Sequence, residues 1–113
     1  MAVNPYDIAH KLANAITDSE QYQDYVKAKQ VIEINPDLME KVLNLRTKQM
    51  GLNRAQMSGE EIPDDVMVQI NDEFTELNQI KELADFFDSE GKFIVLFNDI
   101  QGIIQKKIEQ GLE

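Results

Sequence analysis

An all-α fold of four to five helices, with a long antiparallel helical hairpin and a bundle completed by self-association, follows from three observations. Apolar residues recur at spacings of three and four along nearly the whole chain, the periodicity of one helical face. No segment alternates apolar and polar residues with period two, and no Asn-Gly or Asp-Gly hairpin signal occurs. Glycine (5) and proline (3) are scarce in 113 residues, so the chain has few turns and its elements are long.

The first helix is expected over 5–17. Asn4 can cap it, Pro5 suits its first position, and Asp7 places negative charge at the positive end of the dipole. Ile8, Leu12, Ala15 and Ile16 form its apolar face, and Thr17-Asp18-Ser19 interrupts it. A second helix is expected over 20–34, starting from Ser19, with Tyr22, Tyr25, Val26, Val31 and Ile32 on its apolar side. It stops before Pro36, which pushes Asn35 out of the helical region.

The third helix, over 36–58, repeats the opening signal with Asn35, Pro36 and Asp37. Leu38, Val42, Leu45, Gln49, Leu52 and Gln56 then alternate steps of four and three, a heptad seam containing two glutamines. Gly59 can take the left-handed conformation that ends a helix, and Glu60 to Pro63 make the turn. A fourth helix over 64–77 carries Val66, Ile70, Phe74 and Leu77 on one face.

Asn78 is a candidate break before a fifth helix over 79–110, although one continuous rod fits the pattern too. The stripe of this last helix is wide, from Ile80 through Phe87, Ile94 and Phe97 to Ile108. Gly91 lies on its path, as a helix break or, preferably, as a point of close helix–helix approach. Residues 1–113 are expected to form a single helical domain, since the length suits one domain better than two.

Composition narrows function by exclusion. With no cysteine, a disulfide framework, a thiolate metal site and a cysteine nucleophile are ruled out. No apolar run reaches the roughly 20 residues that span a bilayer, so no membrane insertion is expected. The first eleven residues lack the basic start and apolar centre of an export signal, which points to the cytoplasm. The net charge of −10 opposes binding to nucleic acid or an anionic membrane, both of which need a basic footprint.

Catalytic motifs do not emerge. His10 is the only histidine. With Asp7 it makes one loose pair of metal-ligand type, where a carboxylate-bridged centre needs a Glu-x-x-His pair from each of two helices. A surface histidine near an acid is the simpler reading. No Gly-x-Ser-x-Gly elbow, phosphate-binding glycine loop or calcium loop is present. The tyrosines and phenylalanines have mostly acidic or apolar neighbours rather than the interleaved cations of a base-stacking platform, so core packing explains them better. Catalytic residues, cofactor and metal are therefore all expected to be none.

Charge is segregated instead. From Lys41 to Gly59 there is no acid, and from Ala55 to Ile80 there is no base. An antiparallel hairpin across that boundary brings Lys48 level with Glu73 and Arg46 level with Glu76. Solvated charges that complement each other are the simpler reading; an arm with one basic and one acidic edge, pairing with a second copy, is the functional one. Met39, Met50, Met57 and Met67 surround the same hairpin, as core filler or as an adaptable binding face.

The apolar faces of the last three helices exceed what two short N-terminal helices can cover, so self-association into a homodimer or higher is expected. Leu45, Leu52, Ile70, Phe74, Leu77, Phe86, Phe87, Ile94 and Phe97 are the candidate interface residues. Phe86 and Phe87 cannot both face one core, so one of them should meet a neighbouring helix or a second subunit.

The opening MAVNPYDIAHKLANAITDSEQY, the QMSGEEIP turn and the closing IIQKKIEQGLE together resemble the YlbF/YmcA family of small bacterial proteins, most closely its YheA-like branch. The resemblance implies a self-associating all-α fold. It also implies a regulatory role through protein partners, as in the family complex tied to competence, sporulation, biofilm formation and RNA processing. That complex is associated with iron–sulfur clusters held by cysteines, which this chain lacks, so cluster binding does not carry over. The expected function is a non-enzymatic protein-binding regulator or adaptor. The alternative is an accessory factor of an RNA-processing complex, with the basic run Lys41 to Arg54 as its local support.

Overall fold

The structure, a computed structural model, describes residues 3–113; Met1 and Ala2, the first two residues of the N-terminal block noted above, lie outside them. Five α-helices follow one another: α1 (Pro5–Asp18), α2 (Glu20–Glu33), α3 (Pro36–Met57), α4 (Asp64–Leu77) and α5 (Lys81–Leu112). No strand occurs among the described residues.

Local chemistry sets most of these limits. The Asn4 side chain accepts a 2.9 Å hydrogen bond from the Tyr6 N–H, which satisfies one of the orphan donors at the start of α1. Ser19 separates α1 from α2 and serves both. Its hydroxyl donates to the Ile16 carbonyl at 2.6 Å and accepts from the Tyr22 N–H at 3.2 Å. Asn35 accepts from the Leu38 N–H at 3.3 Å and opens α3.

At the far end of α3, Gly59 has φ of 76°. Its N–H bonds the Gln56 carbonyl, and the Glu60 N–H reaches back to the Ala55 carbonyl, the two bonds of a Schellman motif. The Asn78 N–H caps α4 on the Phe74 carbonyl, and residues 78–80 separate α4 from α5, so these are two helices rather than one rod.

Gly91 matches neither sequence expectation. Helix α5 runs through it unbroken, and a Cβ built there would meet nothing within 4 Å.

Contacts group the chain into two compact units: Lys29–Phe87, and the residues up to Ala28 together with Asp88–Glu113. In the Lys29–Phe87 unit, α3 and α4 form an antiparallel hairpin. Leu38, Val42 and Leu45, successive members of the α3 seam, are buried together with Ile32, Leu77, Leu83 and Phe86. Burial fades along the seam: Leu45 is 0% exposed, Gln49 and Leu52 are half-buried, and Gln56 is exposed.

The other unit is built differently, and none of its described apolar side chains reaches full burial. An aromatic cluster ties its part of α2 to its part of α5. The Phe93 ring lies 5.6 Å from Tyr25, stacked, and 5.7 Å from Tyr22, edge-on, and Phe97 continues the row 6.1 Å from Phe93. The Tyr25 hydroxyl donates to the Glu90 carboxylate at 3.4 Å. On α1, Leu12 and Ile16 are half-buried and Ile8 is exposed.

Truncating Leu45 to alanine should therefore destabilise the fold by about 2–5 kcal/mol, through lost burial and the cavity left behind. The exposed neighbour Leu43 should tolerate the same change within about 0.5 kcal/mol. Chemical denaturation of the two variants checks the contrast.

Candidate interaction surface

Residues of three helices build the hairpin side of the surface. Lys48 Nζ on α3 lies 2.7 Å from Glu73 Oε2 on α4. Two turns of α4 separate Glu73 from the helix start, so this pair lies well along the hairpin, away from the turn. The Arg46 guanidinium carbon is 6.0 Å from the ring centroids of both Phe86 and Phe87, a cation–π distance. Phe87 in turn packs 5.1 Å from Phe74. The adjacent phenylalanines thus divide their work within one unit: Phe86 enters the core, and the half-buried Phe87 meets α4. Glu76 is exposed on α4.

The nine candidate interface residues separate by depth. Leu45, Leu77 and Phe86 are buried within the chain itself. Their seam positions face the interior where α3, α4 and the start of α5 close on one another. Leu52, Ile70, Phe74 and Phe87 are half-buried, whereas Ile94 and Phe97 are exposed.

Toward the turn, the half-buried pair Leu52 and Ile70 line an open groove with Met67, Val68 and the amides of Gln49, Asn53 and Asn71. Met50, Met57 and Met67 are exposed, which places three of the four hairpin methionines on the surface. Val68 and Asn71 lie off the α4 stripe, and Asn53 lies off the α3 seam. No periodic signal marks them.

The other exposed apolar surface lies on α5. Every residue from Gln101 to Glu113 is exposed, including Ile103, Ile104, Ile108 and Leu112. Ile104 and Ile108 belong to the long apolar stripe but not to the interface candidates. Their signal was the stripe's continuation beyond the reach of any other predicted helix.

Electrostatically, Lys92 is the perturbed group. Its hydrogen bond to Asp88, 3.0 Å away, raises its pKa first, followed by the Asp88 charge, with Asp24 and Glu20 adding to it. Lys92, Glu20, Asp24, Gln21 and Ser89 line a small polar cleft between α2 and α5 within their unit. Among the described residues no group of three or more histidines, aspartates or glutamates could hold a metal ion. A cysteine-held iron–sulfur cluster does not fit a chain without cysteine. What the arrangement offers is helical surface, apolar in patches and acidic around them.

Known proteins of similar sequence and fold fit this picture. A family model described as "Control of competence regulator ComK, YlbF/YmcA" matches residues 6–109. The UPF0342 protein YheA of Bacillus subtilis (strain 168) is 31% identical over 113 residues, covering 97% of this chain and 94% of that protein. A protein of unknown function (DUF964) from Bacillus stearothermophilus has the same fold, with a TM-score of 0.81, 25% identity, and coverage of 92% of this chain and 91% of that one. Bacillus subtilis RicA, solved in complex with RicF, shares the fold at a TM-score of 0.59 and 16% identity, with 96% of each chain covered.

The Lys48–Glu73 pair is half exposed, with side-chain exposures of 55% and 26%. A double-mutant cycle through Lys48→Ala and Glu73→Ala should return a coupling of about 0.2–1 kcal/mol that shrinks as salt is added. Thermal melts at two ionic strengths measure it.

Proposed function

This chain belongs to the YlbF/YmcA family, and from that premise we propose that it is a non-enzymatic cytoplasmic regulator or adaptor. In this reading it binds protein partners through its helical surfaces and works as a homo-oligomer. The observation that carries the reading is the distribution of burial. All seven buried apolar side chains among the described residues lie within Lys29–Phe87, while Ile94, Phe97, Ile103, Ile104 and Ile108 face outward from a single helix. Apolar helix surface of that extent is what helix-to-helix recognition uses. The comparison with RicA, solved with RicF, agrees in kind, because it pairs this fold with a protein partner.

The reading as an RNA-processing accessory factor rests on the basic run of α3. Three of its four charges are engaged by the protein's own groups: Lys41 with Asp37 at 3.2 Å, Lys48 with Glu73, and Arg46 over two phenyl rings. Phosphate contacts would have to compete with each of these, against a net charge of −10.

Capture of the tagged protein from its host lysate, with and without nuclease, separates the two. The adaptor reading expects a stoichiometric protein partner that survives nuclease treatment. Partners that vanish with nuclease would replace it with the RNA-associated reading.

A further inference from the structure

The groove near the hairpin tip has a charge setting found nowhere else in the chain. Each of α1, α2, α3 and α5 carries at least one lysine, whereas α4 carries no base at all. Lys29–Glu33, Lys41–Asp37, Lys81–Asp85 and Lys92–Asp88 neutralise acids within their own helices. On α4, Lys48 answers Glu73, but Asp64, Asp65 and Asp72 have no ion-pair partner among the described residues. These three exposed acids stand three or four residues from Val68, a groove residue, and so share its face of α4.

The lining mixes apolar groups with amides. Gln49 and Asn53 on α3 and Asn71 on α4 make no side-chain hydrogen bond among the described residues. Between them lie the half-buried Leu52 and Ile70.

We propose, resting on the adaptor reading above, that this groove takes a short extended segment of a partner protein. One apolar side chain of the segment packs on Leu52 and Ile70, and lysine or arginine flanks it.

The amides decide between an extended segment and a helix. A helix has satisfied its backbone internally, and its apolar stripe would dehydrate three amides without bonding them. An extended segment brings open N–H and C=O groups, and an amide can both donate and accept. The repeats agree. Gln49 and Asn53 are four residues apart on α3, a rise of about 6 Å, and an extended chain repeats every two residues at about 6.6 Å. The groove holds about 530 Å³, within the roughly 300–1,000 Å³ of sites that enclose small ligands, so a few residues fill it.

Charge decides whose segment it is. A cationic side chain beside the groove meets Asp64, Asp65 or Asp72 with no base on α4 to displace. A second copy is a poor donor. It carries −10, and in its basic run Lys41, Lys48 and Arg46 are engaged by its own groups.

Fluorescence anisotropy with two labelled octapeptides of one composition tests the assignment. One alternates lysine and leucine, the pattern of an extended chain; the other places its leucines at helical spacing. The alternating peptide should bind at least about tenfold more tightly. Asp65→Asn with Asp72→Asn, both at exposed positions, should weaken it at least about tenfold. Asn53→Ala with Asn71→Ala, also exposed, should weaken it about fivefold or more. Glu109→Gln with Glu113→Gln removes the same charge from the end of α5 and should leave binding unchanged. Circular dichroism verifies that each variant is folded. Equal weakening by the two charge-removing pairs, or tighter binding of the helical-pattern peptide, would overturn the proposal. Binding of neither peptide, while a nuclease-resistant partner is still captured from host lysate, would overturn this site and leave the adaptor reading standing. Loss of self-association in sedimentation of the Asn53→Ala with Asn71→Ala variant would give the groove to a second copy and overturn the proposal too.

Discussion

Everything in this protein depends on where its apolar side chains can be covered. Helix α3 supplies a seam whose first three members, Leu38, Val42 and Leu45, close against the interior with Leu77, Leu83 and Phe86. That closure uses up the deeply covered positions. The aromatic row of Phe93, Phe97, Tyr22 and Tyr25 holds the remaining part of α5 to α2 without sealing it. Apolar surface at both the hairpin tip and the end of α5 is therefore a consequence of how the core is built. The fold stabilises itself with a short seam and presents the remainder outward.

The electrostatics complement this division. The basic edge of α3 is answered within the same unit, by Glu73 for Lys48 and by ring faces for Arg46. What remains is a net negative surface that discourages indiscriminate association and polyanions alike. Against that background the sparsely charged stretch of α5 between Lys92 and Lys106 stands out as a place where contact is little opposed. Affinity would then come from apolar matching, and the surrounding charge would restrict which partners can approach.

Where side chains have one local task, the sequence was readable. Asn4 and Asn35 followed by proline could hardly serve except as caps, and Gly59 in a short polar turn pointed to the left-handed end of α3. The heptad seam of α3 and the pairing of Lys48 with Glu73 came from periodicity and from counting back across one turn. Depth was not readable in the same way. Leu45 and Leu52 occupy equivalent seam positions, yet one is sealed and the other half-open, because the difference lies in how far neighbouring helices extend. Gly91 misled for a related reason: a glycine on an apolar stripe suggests a close neighbour only if one approaches on its own side of the helix, and nothing lies within 4 Å of a Cβ there. The methionines were undecided from sequence because the same flexible side chain suits core and surface.

The central claim is that the end of α5 is covered by association rather than left in water. Hydrogen–deuterium exchange of the intact protein across a range of concentrations tests it most directly. Amides over 94–112 should become more protected as concentration rises, while those over 38–45, already secured by the core, should not change. Equal exchange over 94–112 at every concentration, in a protein whose core remains protected, would contradict it.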